Sequence, residues 1–369
     1  MPARKISLIL MLNLCLVCLS RGADSLRIGL FDGENLSSLV LTVLSNDYTI
    51  NEIPILKNDV LRITLVEDSI KGVSLNGIKI FGRKLELQGP QANQFKLKAG
   101  NTEPRTYKGA LEIKVLRGKI RLVNITRLES YVAGVVDAEI GPKSFMEFYK
   151  VQAILARTFA IENIQKHFDE GFNLCDQVHC QVFKGTQIRN ERITLATAKT
   201  EEIVIRDQTG ALAFVPYHSN CGGYTESSEN VWGGSKSHLK PVKDTFCLRQ
   251  SKAVWEKKIS RERWDKWLNR QHVDKLVGEE FQLDPGKRKK EIDLAGLSFE
   301  TRKIRSEFGL SSSFFSIKAT EKEIIFTGRG YGHGVGICQQ GASRMAELGY
   351  SYLDILNHYY QRIKISKLK

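Results

Sequence analysis

The sequence predicts an α+β protein in which a β-rich N-terminal region precedes a mixed α/β domain. Residues 24–125 contain short runs in which apolar and polar side chains alternate, with turn residues between them. Two helical segments follow, and strands and helices then share the rest of the chain. A chain of 369 residues, of which 42% are hydrophobic, can form one large domain or two. We therefore assign residues 23–100 to the N-terminal region and residues 101–369 to the second domain.

Seven runs in the first third of the chain have the two-residue period of half-buried strands. Turn-forming pairs such as Asp32-Gly33 and Asn76-Gly77 separate them. The runs are Leu26–Leu30, Leu39–Val43, Val60–Leu65, Ile78–Ile80, Phe95–Leu97, Ala110–Val115 and Lys119–Asn124. We predict a strand at each of them.

Residues 128–162 predict two helices that are interrupted near Pro142, because proline cannot continue a helix. Tyr131, Val135 and Glu139 are four residues apart, so they share one face of the first helix. Apolar neighbours desolvate a carboxyl group and raise its pKa. A carboxylic acid that is still protonated near neutral pH can act as a general acid, which makes Glu139 a candidate. The alternative is a glutamate that ends a helix and points into water.

Further elements are expected toward the C-terminus. The second helix should run from Phe145 to His167, and Ser260 should cap an amphipathic helix within residues 259–272. The other predicted elements are strands at Glu202–Arg206, Ala211–Tyr217, Phe314–Ala319 and Glu323–Thr327, a helix from Gln339 or Gln340, and a helix over Tyr352–Gln361.

The first 22 residues have the pattern of a secretory signal peptide. Two basic residues precede the apolar run Ile6–Leu19, and the small residues Ser20 and Gly22 follow it. This run is short for a membrane span. We expect export to the periplasm or another extracytoplasmic part of the cell envelope, with the chain at most peripheral to the membrane. Retention of residues 1–22 as an anchor is the alternative.

The chain is strongly basic, with a formal net charge of +14. An exported basic protein suits a polyanionic partner such as a cell-wall polymer or a membrane surface. Nucleic acid is the usual partner at this charge, but export argues against it.

Five cysteines follow the predicted signal peptide: Cys175, Cys180, Cys221, Cys247 and Cys338. An oxidising compartment permits disulfides, and an odd number leaves one cysteine unpaired. Cys175 with Cys180 and Cys221 with Cys247 are plausible pairs, which would leave Cys338 free.

At Cys175 and Cys180, the alternative to a disulfide is a zinc site. His167, Cys175, His179 and Cys180 are residues of the types that bind Zn²⁺. We prefer a disulfide between Cys175 and Cys180, because four intervening residues can close a small loop and no fourth protein ligand is evident. On this interpretation the protein needs no cofactor.

Five blocks of the sequence, in order, resemble the SpoIID/LytB family, and together they span about residues 100–365. The blocks are Tyr131 to Thr158 (with Gly134-Val135-Val136, Glu139, Pro142, Gln152-Ala153 and Ala156-Arg157-Thr158), Cys180–Gly185, His218–Glu226, Gly328–Ala342 and Tyr352–Tyr360. The resemblance implies a SpoIID-type α/β domain with a central substrate groove. It also implies a lytic transglycosylase that cleaves peptidoglycan between MurNAc and GlcNAc and leaves a 1,6-anhydro end.

The resemblance implies roles for particular residues. Glu139 would be the acid, and Arg157 matches a family arginine tied to activity. Lys240 matches a family lysine, although His238 stands where a tyrosine is usual, which puts the role of that aromatic position in doubt. Two loops would contact the glycan through His218, Ser219, Gly222, Gly223, Thr225, Glu226, His333 and Gln339.

Competing interpretations exist for these residues. Glu226 and Glu229 are the main competitors to Glu139, and the glycines of Gly328–Gly341 could serve only backbone turns. Some family members bind zinc through one histidine and two cysteines, which here would be His167, Cys175 and Cys180; others do not. The sequence has neither a nucleotide-binding fingerprint nor a G-x-S-x-G nucleophile motif.

Two other functions fit the same sequence. The first is a non-catalytic, glycan-binding activator of a cell-wall amidase, as the amidase-enhancer members of the family are named. The second is a purely structural wall-binding protein. Because the sporulation members prefer strands without stem peptides, the resemblance also implies an amidase partner, and a role in sporulation or in division is open.

Overall fold

The computed structural model describes residues 25–273, 280–282, 288–294 and 296–368. These form two compact units. The first extends to Lys143 and includes Gln152–Ile203; the second contains Ser144–Val151 and the residues from Val204 onward. The predicted signal peptide lies outside the described residues.

Two β-sheets make up most of the first unit. One sheet has the strand order β13-β1-β12-β11-β8-β3-β4 and the other has the order β10-β9-β2-β5-β6-β7. The strands are β1 (Ser25–Leu30), β2 (Ser38–Val43), β3 (Tyr48–Ile50), β4 (Ile53–Ile55), β5 (Val60–Val66), β6 (Ser69–Ser74), β7 (Lys79–Gly82), β8 (Lys84–Gln88), β9 (Gln94–Ala99), β10 (Arg105–Lys108), β11 (Ala110–Leu116), β12 (Lys119–Arg127) and β13 (Leu174–Cys175). All pairs with a defined register are antiparallel except β1 with β13, which is parallel.

The alternation in the sequence explains these sheets. In β2, Leu39, Leu41 and Val43 are buried while the residues between them are partly exposed. Such a strand covers an apolar core with one face. All seven predicted strands are confirmed. The strands that the sequence did not reveal are short or interrupted: β6 contains Gly72, and β10 has four residues.

Three helices follow in this part of the chain: α1 (Leu128–Ile140), α2 (Met146–Glu162), whose residues up to Val151 belong to the second unit, and α3 (Glu191–Lys199). The predicted interruption is confirmed, since α1 ends at Ile140 and the following Gly141 has a φ of +77°, which favours glycine. The prediction that α2 continues to His167 is wrong. After Asn163, the backbone N–H groups of Ile164, Lys166 and Phe168 donate to carbonyls three residues earlier, as in turns. The Asn163 side chain also donates to the Phe159 carbonyl.

The second unit is built around a four-stranded antiparallel sheet of order β16-β21-β20-β17. The strands of the second unit, including those outside this sheet, are β14 (Ile203–Arg206), β15 (Tyr217–His218), β16 (Val254–Ser260), β17 (Glu280–Phe281), β18 (Glu291–Leu294), β19 (Leu297–Glu300), β20 (Phe315–Ala319), β21 (Glu323–Arg329), β22 (Ile337–Cys338) and β23 (Lys364–Lys367). Its helices are α4 (Ser228–Trp232), α5 (Arg261–Arg270), α6 (Thr301–Phe308), α7 (Gln339–Glu347) and α8 (Tyr352–Tyr359). Aromatic side chains of α5, α6 and β21 fill one core, among them Trp264, Phe308 and Phe326.

Most predicted elements of this unit are confirmed, including the helices α5, α7 and α8. The predicted strand Ala211–Tyr217 is wrong except for its last residue. The preceding residues turn back on β14, because the Asp207 N–H donates to Ala211 and the Ala213 N–H donates to Ile205. Among the described residues, no helix combines the length and the apolar character that a membrane crossing requires.

Replacing Ser260 with alanine should lower the free energy of unfolding by about 1 kcal/mol. Its hydroxyl caps α5 by accepting a hydrogen bond from the Arg263 N–H at 3.3 Å. Urea unfolding measures the change, and Ser260→Asn is the control because asparagine also caps helices. Equal losses in both variants would contradict a capping role.

Candidate active site

Glu139 lies one residue before the end of α1 and is partly exposed. As predicted, it shares a face with Tyr131 and Val135, whose side chains are fully buried. The N–H of Val182 donates to Oε1 of Glu139 at 3.4 Å. The carboxyl group therefore lies at the edge of an apolar face and has a backbone donor beside it.

The loop that supplies this donor packs on α1. The rings of Tyr131 and Phe183 are 5.0 Å apart, and the Tyr131 hydroxyl lies 3.4 Å from Oε1 of Gln181. A side chain at Gly134 would meet the Gly185 carbonyl at 2.3 Å, so glycine permits this close approach. The fold thus brings together two blocks that are about 45 residues apart in the sequence.

The end of α1 has a second attachment that the sequence did not reveal. Nε of Arg189 lies 2.9 Å from Oδ2 of Asp137, and Nη2 of the same guanidinium donates to the Asp137 carbonyl at 2.8 Å. The Asn190 side chain donates to the Pro142 carbonyl at 2.7 Å. No local pattern signals these contacts, because the partners are about fifty residues away. They hold the turn next to Glu139.

Arg157 is completely buried, and its partners are internal. Its Nε and Nη2 bind the two carboxylate oxygens of Glu129 at 2.7 and 2.6 Å, and its Nη1 donates to the Ile203 carbonyl at 3.0 Å. The two-point pair joins α2 to the first turn of α1. The sequence analysis associates Arg157 with activity, and in the structure its guanidinium supports the helix that carries Glu139.

A cluster of potential metal ligands lies in the same unit: His167, Cys175, His179 and Cys180. One ligand atom from each lies within 4.8 Å of the others, and Sγ of Cys180 is 3.4 Å from Nε2 of His167. The hydrogen bond from Cys180 lowers the pKa of the Cys175 thiol to about 5, and the pKa of Cys180 is raised. We call these four residues the first cysteine cluster.

The first cysteine cluster has a donor set that fits zinc. Two sulfurs and two imidazoles are a common ligand combination for Zn²⁺. Nδ1 of His167 contacts Oε1 of Glu170 at 2.5 Å, and a carboxylate partner of this kind orients a metal-binding histidine. His179, which the sequence analysis includes among the residues of zinc-binding type, lies with the other three and offers a fourth potential ligand.

Neither predicted disulfide is present, since all five described cysteines are free. At the first cysteine cluster, histidine nitrogens lie against the two sulfurs. The sulfurs of Cys221 and Cys247 are 3.4 Å apart, well beyond a bond of about 2.05 Å. Cys338 is also free, as expected, but it lies beside Cys221.

The other predicted site residues belong to the second unit, where the two polar loops lie side by side. Asn220 and Tyr331 exchange two backbone hydrogen bonds, and the Glu226 N–H donates to the Gly334 carbonyl at 2.8 Å. Strand β15 pairs with β22 in parallel. The φ of Gly222 is +73°, and a side chain there would meet Cβ of Arg329 at 2.6 Å.

The two histidines of these loops are neutral at pH 7. Burial lowers the pKa of His218 well below its usual value, with His333 and Arg288 adding to the effect, and burial lowers the pKa of His333 to about 4. Nδ1 of His218 donates to the Val335 carbonyl at 3.1 Å. His333 donates from Nε2 to the Tyr217 carbonyl and accepts the Val335 N–H at Nδ1. Neither histidine carries a charge for a substrate.

The acidic competitors to Glu139 have different surroundings. Glu226 is buried, and its Oε1 accepts from the Ser227 N–H at 2.8 Å and from the Asn230 side chain at 2.9 Å. The carboxylate of Glu229 is 45% exposed and lies 3.8 Å from Nζ of Lys240. Glu226 therefore forms hydrogen bonds within its own part of the chain, while Glu229 and Lys240 form a solvent-exposed pair.

The remaining predicted substrate contacts are spread over the same loops. The hydroxyl of Thr225 accepts the Val242 N–H at 2.7 Å, and the hydroxyl of Ser219 accepts from Nζ of Lys252 at 3.1 Å. The glycine at position 223 has a φ of +105°. Gln339 begins α7, and its buried Nε2 has no hydrogen-bond partner among the described residues.

Comparison with known proteins identifies the family. A family model described as "Stage II sporulation protein" (SpoIID) matches residues 116–206. The chain is 31% identical over 281 residues to the stage II sporulation protein D of Bacillus amyloliquefaciens, which covers 72% of this chain and 81% of that protein. For the stage II sporulation protein D of Bacillus subtilis (strain 168), the identity is 30% over 273 residues, or 70% of this chain and 79% of that protein.

A more distant relative carries a different name. The amidase enhancer of Bacillus subtilis (strain 168) is 25% identical over 285 residues, which are 62% of this chain and 39% of that protein. The five sequence blocks, the family model and these relatives agree, and the chain belongs to the SpoIID/LytB family.

Proposed function

We propose that this protein is a peptidoglycan lytic transglycosylase that cleaves glycan strands between MurNAc and GlcNAc and leaves 1,6-anhydroMurNAc ends. The observation that carries the proposal is the placement of Glu139, which lies at the end of α1 on an apolar face and 3.4 Å from the Val182 N–H. Family membership supports a role connected with sporulation and the cell wall.

One acid is sufficient for this reaction. Hydrolysis of a glycoside uses two carboxyl groups, because one protonates the leaving oxygen and the other activates water or attacks the sugar. Here protonated Glu139 donates its proton to the leaving oxygen while the C1–O bond breaks. The resulting carboxylate takes the proton of the 6-hydroxyl, whose oxygen bonds to C1 of the same sugar. The acid is thereby regenerated, and no water is consumed.

The surroundings of Glu139 suit both steps. The Val182 N–H can stabilise the carboxylate that the first step leaves behind, because a hydrogen bond to the charged form favours that form. The rest of this helix face is apolar, since Tyr131 and Val135 are buried, and the partly exposed carboxyl group lies at its edge, where a substrate can reach it.

The first cysteine cluster has a structural part in this proposal. His167, Cys175, His179 and Cys180 would hold zinc as a closed four-ligand site, and a bound zinc ion would fix the fold of its loop. Cys180 is two residues before Val182, so the cluster determines where the backbone donor to Glu139 lies.

Removing metal from the first cysteine cluster should therefore lower both stability and activity. We expect Cys175→Ser with Cys180→Ser to lose about one zinc ion per chain and to lower the melting temperature. Elemental analysis and thermal unfolding measure these changes. The exposed Ser235→Ala is the control. A mass two hydrogens lower for non-reduced protein, with Cys175 and Cys180 in one linked peptide, would instead establish the disulfide that the sequence analysis preferred.

The direct test of the function uses purified protein and glycan strands whose stem peptides have been removed. The expected products are fragments with anhydro ends, which mass spectrometry distinguishes from hydrolysis products by one missing water. A parallel reaction with intact peptidoglycan tests the preference for stripped strands. Hydrolytic ends, or no cleavage of either substrate, would contradict the proposal.

The competing function is the activation of a cell-wall amidase without cleavage. It is favoured by the similarity to a protein named amidase enhancer. The same reactions with a purified cell-wall amidase separate the two functions. Faster release of stem peptides without new anhydro ends would support the activator, whereas anhydro ends in the absence of amidase would support the enzyme.

The proposed substrate requires an extracytoplasmic location. We propose export through residues 1–22, with glycan strands as ligand and a cell-wall amidase as a partner that supplies stripped strands. A fusion of residues 1–30 to a reporter that is active only outside the cytoplasm should be active. A silent fusion, with the segment retained in the cytosol, would contradict export.

A further inference from the structure

A second group of cysteines lies in the second unit and has no part in the proposed reaction. Cys221, Cys247 and Cys338 surround the carboxylate of Asp244, and all four residues are completely buried. One sulfur or oxygen atom from each lies within 4.8 Å of the others. We call these residues the second cysteine cluster.

Three separate chain segments contribute to this cluster. Cys221 follows β15, Cys338 ends β22, and Asp244 and Cys247 come from the segment between α4 and β16. Sγ of Cys221 is 3.2 Å from Oδ2 of Asp244 and 3.4 Å from Sγ of Cys247. The loops that hold the predicted glycan-binding residues are therefore joined here.

The cluster places four potential anions in one buried space. Thiolates and a carboxylate lose their solvation there, and a cation between them would offset both that loss and their mutual repulsion.

A network of donors already surrounds the ligand atoms. Sγ of Cys338 accepts the N–H groups of Cys221 and Gly341, each at 3.3 Å. The Tyr359 hydroxyl donates to Oδ2 of Asp244 at 2.9 Å. Donors of this kind orient the ligands of metal sites. At Gly341 a side chain would meet both Oδ2 of Asp244 and the Tyr359 hydroxyl at 2.3 Å, so glycine keeps the space open.

We propose that Cys221, Cys247, Cys338 and Asp244 bind one Zn²⁺ ion as a structural site. Three sulfur ligands and one carboxylate oxygen complete a tetrahedral set, and complete burial leaves no open position for a substrate, as in structural zinc sites. The ion fixes the two polar loops to each other. This inference does not depend on the proposed function, because it concerns the fold of the second unit.

A positive charge beside the cluster offsets part of the negative charge of the proposed ligands. The buried guanidinium of Arg288 donates to the carbonyls of Cys221 and Tyr224 at 2.6 and 2.9 Å. Its positive charge lies beside the cluster and interacts with Cys221 and Cys338. Three thiolates and a carboxylate exceed the charge of Zn²⁺ by two, and Arg288 offsets one of these charges.

The test measures zinc in the full chain purified without added metal. In a chain that carries Cys175→Ser and Cys180→Ser, and so lacks the first cysteine cluster, we expect about one zinc ion to remain. Adding Cys247→Ser or Cys338→Ser should remove it. Zinc that persists in both of these variants, or its absence even after incubation with zinc chloride, would overturn the proposal.

A second measurement is used if the variants of the second cysteine cluster fail to fold. Cobalt(II) substituted into the chain with an intact second cysteine cluster should show the intense absorption of thiolate-to-cobalt charge transfer, and zinc-edge X-ray absorption should show three sulfur neighbours. If this chain also fails to fold, the unsubstituted protein should contain about two zinc ions, with more than two sulfur neighbours on average. A Cys221–Cys247 disulfide in the non-reduced protein would overturn the proposal.

Discussion

Glu139→Gln should reduce the formation of anhydro ends by at least about a hundredfold, the lower range of what a general acid contributes. Glutamine has the same shape and can still accept the Val182 N–H through its amide oxygen. It cannot donate a proton to the leaving oxygen or take one from the 6-hydroxyl. Folding and glycan binding should therefore be retained while turnover is lost.

The measurement is the rate of anhydro-end formation on stripped strands, together with a glycan pull-down and a melting curve. Glu229→Gln is the matched control, because Glu229 is an exposed carboxylate that pairs with Lys240 on the surface. Near-normal turnover in Glu139→Gln would assign the acid to Glu226 or Glu229. A melting temperature that falls with turnover would show that the loss comes from the fold.

The sequence was sufficient for the elements that depend on local pattern. The alternation of Leu39, Leu41 and Val43 predicted β2, and glycine and proline after Ile140 predicted the end of α1. The shared face of Tyr131 and Glu139 also follows from helical spacing alone. In each of these cases the residues that decide the structure are neighbours in the chain.

The contacts that the sequence could not reveal join residues far apart in the chain. Arg157 has the residue type of a substrate contact, and only the fold shows that Glu129 and the Ile203 carbonyl occupy it. Similarly, Cys338 became part of a cluster because β22 pairs with β15, more than a hundred residues earlier. Cysteine spacing cannot indicate such partners.

The structure also separates residues that the family motif presents together. Glu139 and Arg157 belong to the same sequence block, yet one has a partly exposed carboxyl group and the other a completely buried guanidinium. This block therefore contains one residue that is accessible to a substrate, Glu139, and another, Arg157, that supports the helix on which Glu139 lies. Burial and hydrogen-bond partners distinguish the two roles, and they lead to opposite expectations for mutants.

Arg157→Met should lower the free energy of unfolding by about 3 kcal/mol, near the lower end of the cost of breaking a buried ion pair. The substitution leaves the Glu129 carboxylate and the Ile203 carbonyl without the donors that Arg157 supplies. The carboxylate is 28% exposed, so water can solvate part of its charge. Urea unfolding at neutral pH measures the loss.

Two further variants decide whether Arg157 acts through α1 or on the sugar. Arg157→Met with Glu129→Met removes both charges and should recover part of the lost stability, because neither partner is then left unpaired. Arg157→Lys keeps the charge but not the two-point geometry, so it should be destabilised and its turnover should fall with the loss of folded protein. If Arg157→Lys were fully stable but inactive, the guanidinium would have to contact the substrate. The burial of Arg157 and its bonds to Glu129 predict the opposite: activity at low temperature, where the variant is folded, should stay close to that of the unsubstituted chain.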